Sequence, residues 1–99
     1  MIVIAGTMRL PRGNLGRARE RLEPLISATR AEEGCLGYAF AEDLLDPGLI
    51  HVAERWRDHA ALDGHFKAPH LAEGREAFKE LGSSEWNLRM FETDDGIPL

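Results

Sequence analysis

The residues of this chain best suited to acid–base or metal chemistry are its four histidines. His65 and His70 stand five positions apart with Pro69 between them, and a proline interrupts the helix that would bring them onto one face. His51 and His59 have no Cys, His or carboxylate neighbours at zinc-ligand spacing. The sequence therefore predicts no metal site. Proton transfer near neutral pH is the chemistry that an imidazole then offers.

Other catalytic signatures are missing from the sequence. It has no GxGxxG motif after a strand, no GKS or GKT phosphate loop and no GxSxG nucleophile turn. Cys35 begins a predicted strand without a cationic neighbour, so we interpret it as a small buried residue. As the single cysteine it cannot form an intrachain disulfide.

Length and composition limit the classes of protein to which the chain can belong. Ninety-nine residues, 43% hydrophobic and 29% charged, fit one globular domain. The net charge of −5 argues against nucleic acid as a partner, because phosphate binding requires clustered Lys and Arg. No stretch approaches the roughly 20 apolar residues of a membrane helix. The apolar run at residues 2–5 is too short for a signal peptide, so we expect no membrane partner and a cytoplasmic location.

Seven elements that could position the histidines follow from hydrophobic periodicity and from turn and cap residues. In chain order they are a strand at 2–8, a helix at 14–32, strands at 35–42 and 49–56, a short helix after Asp58, a helix from Pro69 and a strand at 86–92. Asp46-Pro47-Gly48 predicts that the second and third strands form a hairpin. The order β-α-β-β-α-α-β predicts one α+β domain over residues 1–93, with residues 94–99 as a tail. We expect a ferredoxin-like sandwich, with a four-stranded antiparallel sheet and helices on one face.

Neither face of the predicted sheet is cleanly polar. Ile50, Val52 and Trp56 point one way along the third strand, whereas Leu49 and Ala53 point the other way. Helices can cover only one of these faces, and an uncovered apolar face marks a contact surface. A homodimer that forms through the sheet face is therefore expected. The alternative is that long charged side chains cover the face.

Two segments of the chain carry a family resemblance. The first is Glu54-Arg55-Trp56-Arg57-Asp58, continued by Leu62-Asp63-Gly64-His65-Phe66 and Ala68-Pro69-His70; the second is Gly34-Cys35-Leu36-Gly37-Tyr38, followed by the hairpin turn. Together they resemble the antibiotic biosynthesis monooxygenase family, including its small quinol-monooxygenase-like members. The resemblance implies a dimeric α+β barrel and an oxidoreductase that uses O2 on a small aromatic quinol or polyphenol. It also implies that no flavin, metal or other cofactor takes part.

By the same resemblance, His65 would act as the catalytic base. Trp56, Tyr38, Phe66, His70 and Arg89 would bind the substrate. Each residue also has a plainer interpretation: His65 and Trp56 as core, Tyr38 with its hydroxyl in solvent, Glu54 in an arginine salt bridge, and Arg89 at the sheet edge. The competing functions are an oxygen-independent isomerase of the same fold and a non-catalytic dimeric ligand-binding protein.

A haem-degrading branch of the superfamily provides a contrast. That branch uses an asparagine on the first strand, where this chain has Thr7. Its axial histidine would fall in the segment that reads Glu73-Gly74-Arg75-Glu76 here. The sequence therefore argues against haem.

Overall fold

The computed structural model describes residues 1–99 as three helices on one face of a four-stranded sheet. The elements are β1 (Ile2–Arg9), α1 (Leu15–Arg30), β2 (Cys35–Glu42), β3 (Leu49–Trp56), α2 (His59–Phe66), α3 (Pro69–Glu80) and β4 (Ser84–Glu92). The sheet order is β2-β3-β1-β4, and every neighbouring pair is antiparallel. This confirms the predicted ferredoxin-like α+β order. Residues 93–99 lie outside these elements and are exposed.

Local sequence signals explain most of the element boundaries. Asp58 caps α2, since its side chain accepts a hydrogen bond of 2.9 Å from the backbone N–H of Ala61. Pro69 occupies the first turn of α3, where no backbone donor is lost to the helix. Asn14 is at the N-cap of α1 but makes no side-chain capping bond, and α1 continues through Pro24. The helix ends at Arg30, two residues before the predicted end at residue 32.

The core lies between the sheet and the helices. On β3 the buried positions alternate, and Ile50, Val52 and Trp56 share one face as the pattern predicts. In the structure that face lies against the helices. Ile2, Ile4 and Met8 of β1 and Leu22 and Leu25 of α1 belong to the same cluster of 16 buried hydrophobic residues. The helices α1 and α3 pack closely, because a Cβ atom on Gly74 would lie only 2.5 Å from Leu25 Cδ2. No helix is both long enough and apolar enough to cross a membrane.

Candidate active site

A cavity of about 300 Å³ lies between the sheet and the helices α2 and α3. Its walls are mainly aromatic, and Tyr38, Phe40, Phe66, Phe78 and Trp86 contribute to them. Its polar lining residues are Glu54, His65, Arg75 and Ser83. An apolar cavity with a few convergent polar groups is the usual form of a small-molecule site.

A larger groove of about 450 Å³ runs between α1 and the other end of the sheet. Its charged residues, among them Arg19, Glu23 and Glu42, are all exposed or half-buried. No histidine lines it. Since buried titratable groups mark functional sites more often than solvated ones, we place the site in the smaller cavity.

His65 is the buried imidazole of this cavity, with only 2% of its surface exposed. It lies on the inner face of α2, three positions after the buried Leu62. Its ring centroid is 4.8 Å from that of Trp56 and 5.4 Å, edge-on, from that of Tyr38. The His65 Nδ1 atom lies 2.7 Å from Glu32 Oε2, a short hydrogen bond to a carboxylate. This bond fixes the orientation of the ring, as a carboxylate does for many functional histidines.

The Glu32 carboxylate joins His65 to a second histidine. His70, the second residue of α3, places Nε2 3.0 Å from the same Oε2 atom. The exposed fraction of the side chains rises from 3% for His65 to 16% for Glu32 and 23% for His70, so the cluster extends from the cavity towards solvent. Pro69 ends the helical run as predicted, and the two histidines lie on different helices, but His65 from α2 and His70 from α3 meet at Glu32.

The donor atoms of Glu32, His65 and His70 all lie within 4.8 Å of one another, so these three residues are the ones that could hold a metal ion. The prediction of no metal site considered only neighbours in sequence and did not include Glu32. The distances of 2.7 and 3.0 Å are nevertheless those of hydrogen bonds, with one carboxylate oxygen between two imidazole nitrogens. We therefore interpret the three residues as a hydrogen-bonded cluster.

Glu54 is a buried carboxyl group on the sheet side of the cavity. It is 7% exposed, and its Oε1 atom accepts a hydrogen bond of 3.0 Å from Trp56 Nε1. Burial raises the pKa of Glu54 above its ordinary value. Tyr38 lies directly opposite Glu54 on β2 and is 4% exposed. Burial, and after it the charge of Glu54, raises the pKa of Tyr38 so far that the phenol stays protonated.

The structure brings some of the predicted substrate-binding residues to the cavity and not others. Tyr38 and Phe66 line it, whereas Trp56 is fully buried behind His65 and is not part of the lining. His70 reaches the site only through Glu32. Arg89 lies on β4 opposite Ala5 of β1 and directly follows Leu88, which lines the cavity. Because successive side chains of a strand point to opposite faces, the Arg89 side chain lies on the face of the sheet away from the cavity. The cation at the cavity is Arg75 of α3, which the sequence analysis did not select.

The fold and the site define an α+β domain with a small aromatic cavity beside a buried histidine. The family model for antibiotic biosynthesis monooxygenases matches residues 1–77, and the chain belongs to that family. Among solved structures, a Deinococcus radiodurans protein named for the same family superimposes with a TM-score of 0.87 at 28% identity, covering 100% of this chain and 98% of the other. Rv0793 of Mycobacterium tuberculosis has a TM-score of 0.76 at 29% identity, covering 99% and 100%.

Two proteins are similar to this chain in sequence. Rv0793 is 40% identical over 63 residues, which are 64% of this chain and 61% of that protein. The uncharacterized protein sll1783 of Synechocystis is 29% identical over 90 residues, which are 91% of this chain and 61% of that protein. The sequence matches thus span about three-fifths of the length of each of these two relatives.

Proposed function

We propose that this protein is a cofactor-independent monooxygenase that uses O2 to oxidise a small aromatic quinol or polyphenol, with His65 as the base. The observation that carries the proposal is the buried His65 ring, held by Glu32 at Nδ1 and placed at the wall of an aromatic cavity. The family and the monooxygenase names of its relatives support the same class of reaction.

The proposed chemistry begins with proton transfer. The Glu32 carboxylate accepts the Nδ1–H bond, which leaves Nε2 with its lone pair as the base. Nε2 removes the proton of a phenolic hydroxyl, and Glu32 stabilises the imidazolium that forms. The phenolate then carries electron density onto a ring carbon, which can react with O2.

The oxygen step balances without any added reductant. The ring carbon supplies both electrons of the new C–O bond to O2 and forms a hydroperoxide. The O–O bond then breaks, one oxygen remains on the ring, and the other leaves as water with two protons from the substrate. For hydroquinone the overall reaction gives hydroxybenzoquinone and water. Tyr38, Phe40 and Phe78 of the cavity wall would exclude bulk water from the anion.

We also propose that the protein acts as a homodimer that forms through the sheet. The edge strand β4 exposes Leu88 and Met90 on the helix side and Phe91 on the other side. Apolar groups on both sides of an edge strand favour a second copy as partner. Sedimentation at micromolar concentration should give twice the mass of 11.1 kDa, and Phe91→Lys should weaken the dimer. A monomeric wild type would contradict this assembly.

Oxygen uptake tests the proposed reaction most directly. Hydroquinones and naphthohydroquinones would be compared with their autoxidation background, using wild type, His65→Ala and His65→Gln. The matched control is His59→Ala, because His59 belongs to the same helix but has 56% of its side chain exposed. Loss of a general base lowers the rate by roughly 100- to 10,000-fold. We expect that loss in both His65 variants, with circular dichroism unchanged, and wild-type activity in the control.

Two results would redirect the interpretation. If the wild type consumes no oxygen above background with any member of the panel, the monooxygenase proposal fails. Saturable binding without turnover would then favour a ligand-binding protein, and turnover without oxygen an isomerase. If His65→Ala and His59→Ala behave alike, the reaction stands but His65 is not its base.

A further inference from the structure

Glu54 is a buried carboxyl group at the cavity that proton removal by His65 does not use. Trp56 Nε1 occupies its Oε1 atom at 3.0 Å, and its Oε2 atom makes no hydrogen bond to the protein. The only fully buried side-chain nitrogen or oxygen without a partner is Thr29 Oγ1, so Glu54 Oε2 is not sealed inside the core. Since Glu54 lines the cavity, this oxygen is open to a ligand.

Glu54 and His65 are both neighbours of the same two aromatic residues, Trp56 and Tyr38. The Trp56 indole packs 4.8 Å from the His65 ring and donates its N–H to Glu54. Tyr38 contacts the His65 ring edge-on and lies opposite Glu54 across the β2–β3 pair. An aromatic ligand in the cavity therefore meets two hydrogen-bond acceptors, the imidazole and the carboxyl group.

We propose that Glu54 is a specificity-determining residue that accepts a hydrogen bond from a second hydroxyl of the substrate, while His65 receives the first. This inference rests on the proposed function for the role of His65. It adds the residue by which the cavity distinguishes a ring with two hydroxyls from a ring with one.

The physical reason is the cost of an unpaired carboxyl group. A ligand that fills the cavity removes the remaining water from Glu54 Oε2, and a buried polar group without a partner is destabilising. A dihydric phenol replaces that water with an O–H donor, whereas a monohydric phenol leaves the oxygen unpaired. A site built for a hydroxyl discriminates strongly against an analogue without it. We expect a preference of roughly 10- to 100-fold for the diol.

Anaerobic binding tests the inference separately from turnover. Hydroquinone and 4-methylphenol have the same shape, but the second carries a methyl group in place of one hydroxyl. Quenching of tryptophan fluorescence would give both dissociation constants, because Trp86 lines the cavity and Trp56 contacts His65. The variant is Glu54→Leu, which removes the free oxygen and leaves no polar atom for a second hydroxyl. The control is Glu33→Leu, because the side chain of Glu33 is 88% exposed.

We expect the wild type and Glu33→Leu to prefer hydroquinone by at least roughly 10-fold, and Glu54→Leu to lose this preference. If the wild type binds the two ligands equally, or binds neither saturably, the inference is overturned without reference to any variant. An unchanged preference in folded Glu54→Leu would also overturn it. If oxygen uptake is absent but the preference is present and depends on Glu54, the monooxygenase proposal fails while the role of Glu54 stands.

Discussion

Removal of the Glu32 carboxylate should destabilise the protein far more than removal of its neighbour Glu33. Glu32 accepts hydrogen bonds from His65 at 2.7 Å and His70 at 3.0 Å, and only 16% of its side chain is exposed. The side chain of Glu33 is 88% exposed, and its nearest cation is the Arg57 guanidinium at 3.6 Å. The two glutamates are adjacent in the turn after α1, so Glu33→Ala is a matched control for Glu32→Ala.

The size of the effect follows from the burial of the two histidines. Glu32→Ala leaves the donor of the buried His65 unpaired. Loss of a hydrogen bond to a charged group lowers the free energy of unfolding by about 1.5–3 kcal/mol. The bond to the partly exposed His70 adds about 0.5–1 kcal/mol. The sum is about 2–4 kcal/mol for Glu32→Ala, against about 0.5 kcal/mol or less for Glu33→Ala. In a domain of this size about 1 kcal/mol shifts the unfolding temperature by 4–8 °C.

Urea unfolding, monitored by circular dichroism, gives the free energy of unfolding of Glu32→Ala and of Glu33→Ala in the same assay. Glu32→Gln, which keeps one acceptor oxygen but no charge, should fall between the wild type and Glu32→Ala. A double-mutant cycle with His65→Leu should show coupling to Glu32, since the two side chains are in contact. If Glu32→Ala unfolds at the same urea concentration as Glu33→Ala, the cluster does not stabilise the fold and our account of how His65 is oriented is wrong.

Three further changes test other parts of the structure. Gly74→Ala should destabilise the protein by about 1 kcal/mol, because overpacking against Leu25 outweighs the helix preference of alanine. Gly64 has open space around it, so Gly64→Ala should stabilise the protein by about 0.5–1 kcal/mol. Equal Tm values for the two variants would refute this. Asp58→Ala should lower Tm at pH 7, and the difference should shrink as pH falls below about 4, since the helix N–H bond lowers the pKa of Asp58. The pKa of Glu54 is raised by burial, so wild type should lose stability relative to Glu54→Gln as pH rises above about 4; a constant difference in thermal scans would contradict this.

The sequence by itself determined the elements and which residues of a strand share a face. The alternation on β3 depends on the two-residue period of a strand, and the Asp58 cap and the Pro69 start depend on neighbours within one helical turn. These signals are local, so they can be read without the fold. The order of strands and helices then indicated the ferredoxin-like arrangement, because few topologies satisfy it.

The composition of the site was decided only by the tertiary structure. Glu32 is separated from His65 by 33 residues and from His70 by 38, and in the sequence it is one of several glutamates in a charged stretch. The sequence offers Glu54 as the partner of an arginine, but in the structure it is buried and its Oε1 atom accepts a hydrogen bond from Trp56 on the same strand. Arg89 does not lie at the cavity as predicted, because the register of β4 against β1 places its side chain on the other face of the sheet.

The physical reason for this division is the range of the interactions. Hydrophobic period, caps and turn residues act over a few positions and fix the backbone of each element. The neighbours of His65 depend instead on how α2 and α3 pack over the sheet, and that packing is a property of the whole core. The sequence therefore indicated His65 as a candidate. The packing of the helices against the sheet places Glu32 and His70 beside it and Glu54 at the same cavity.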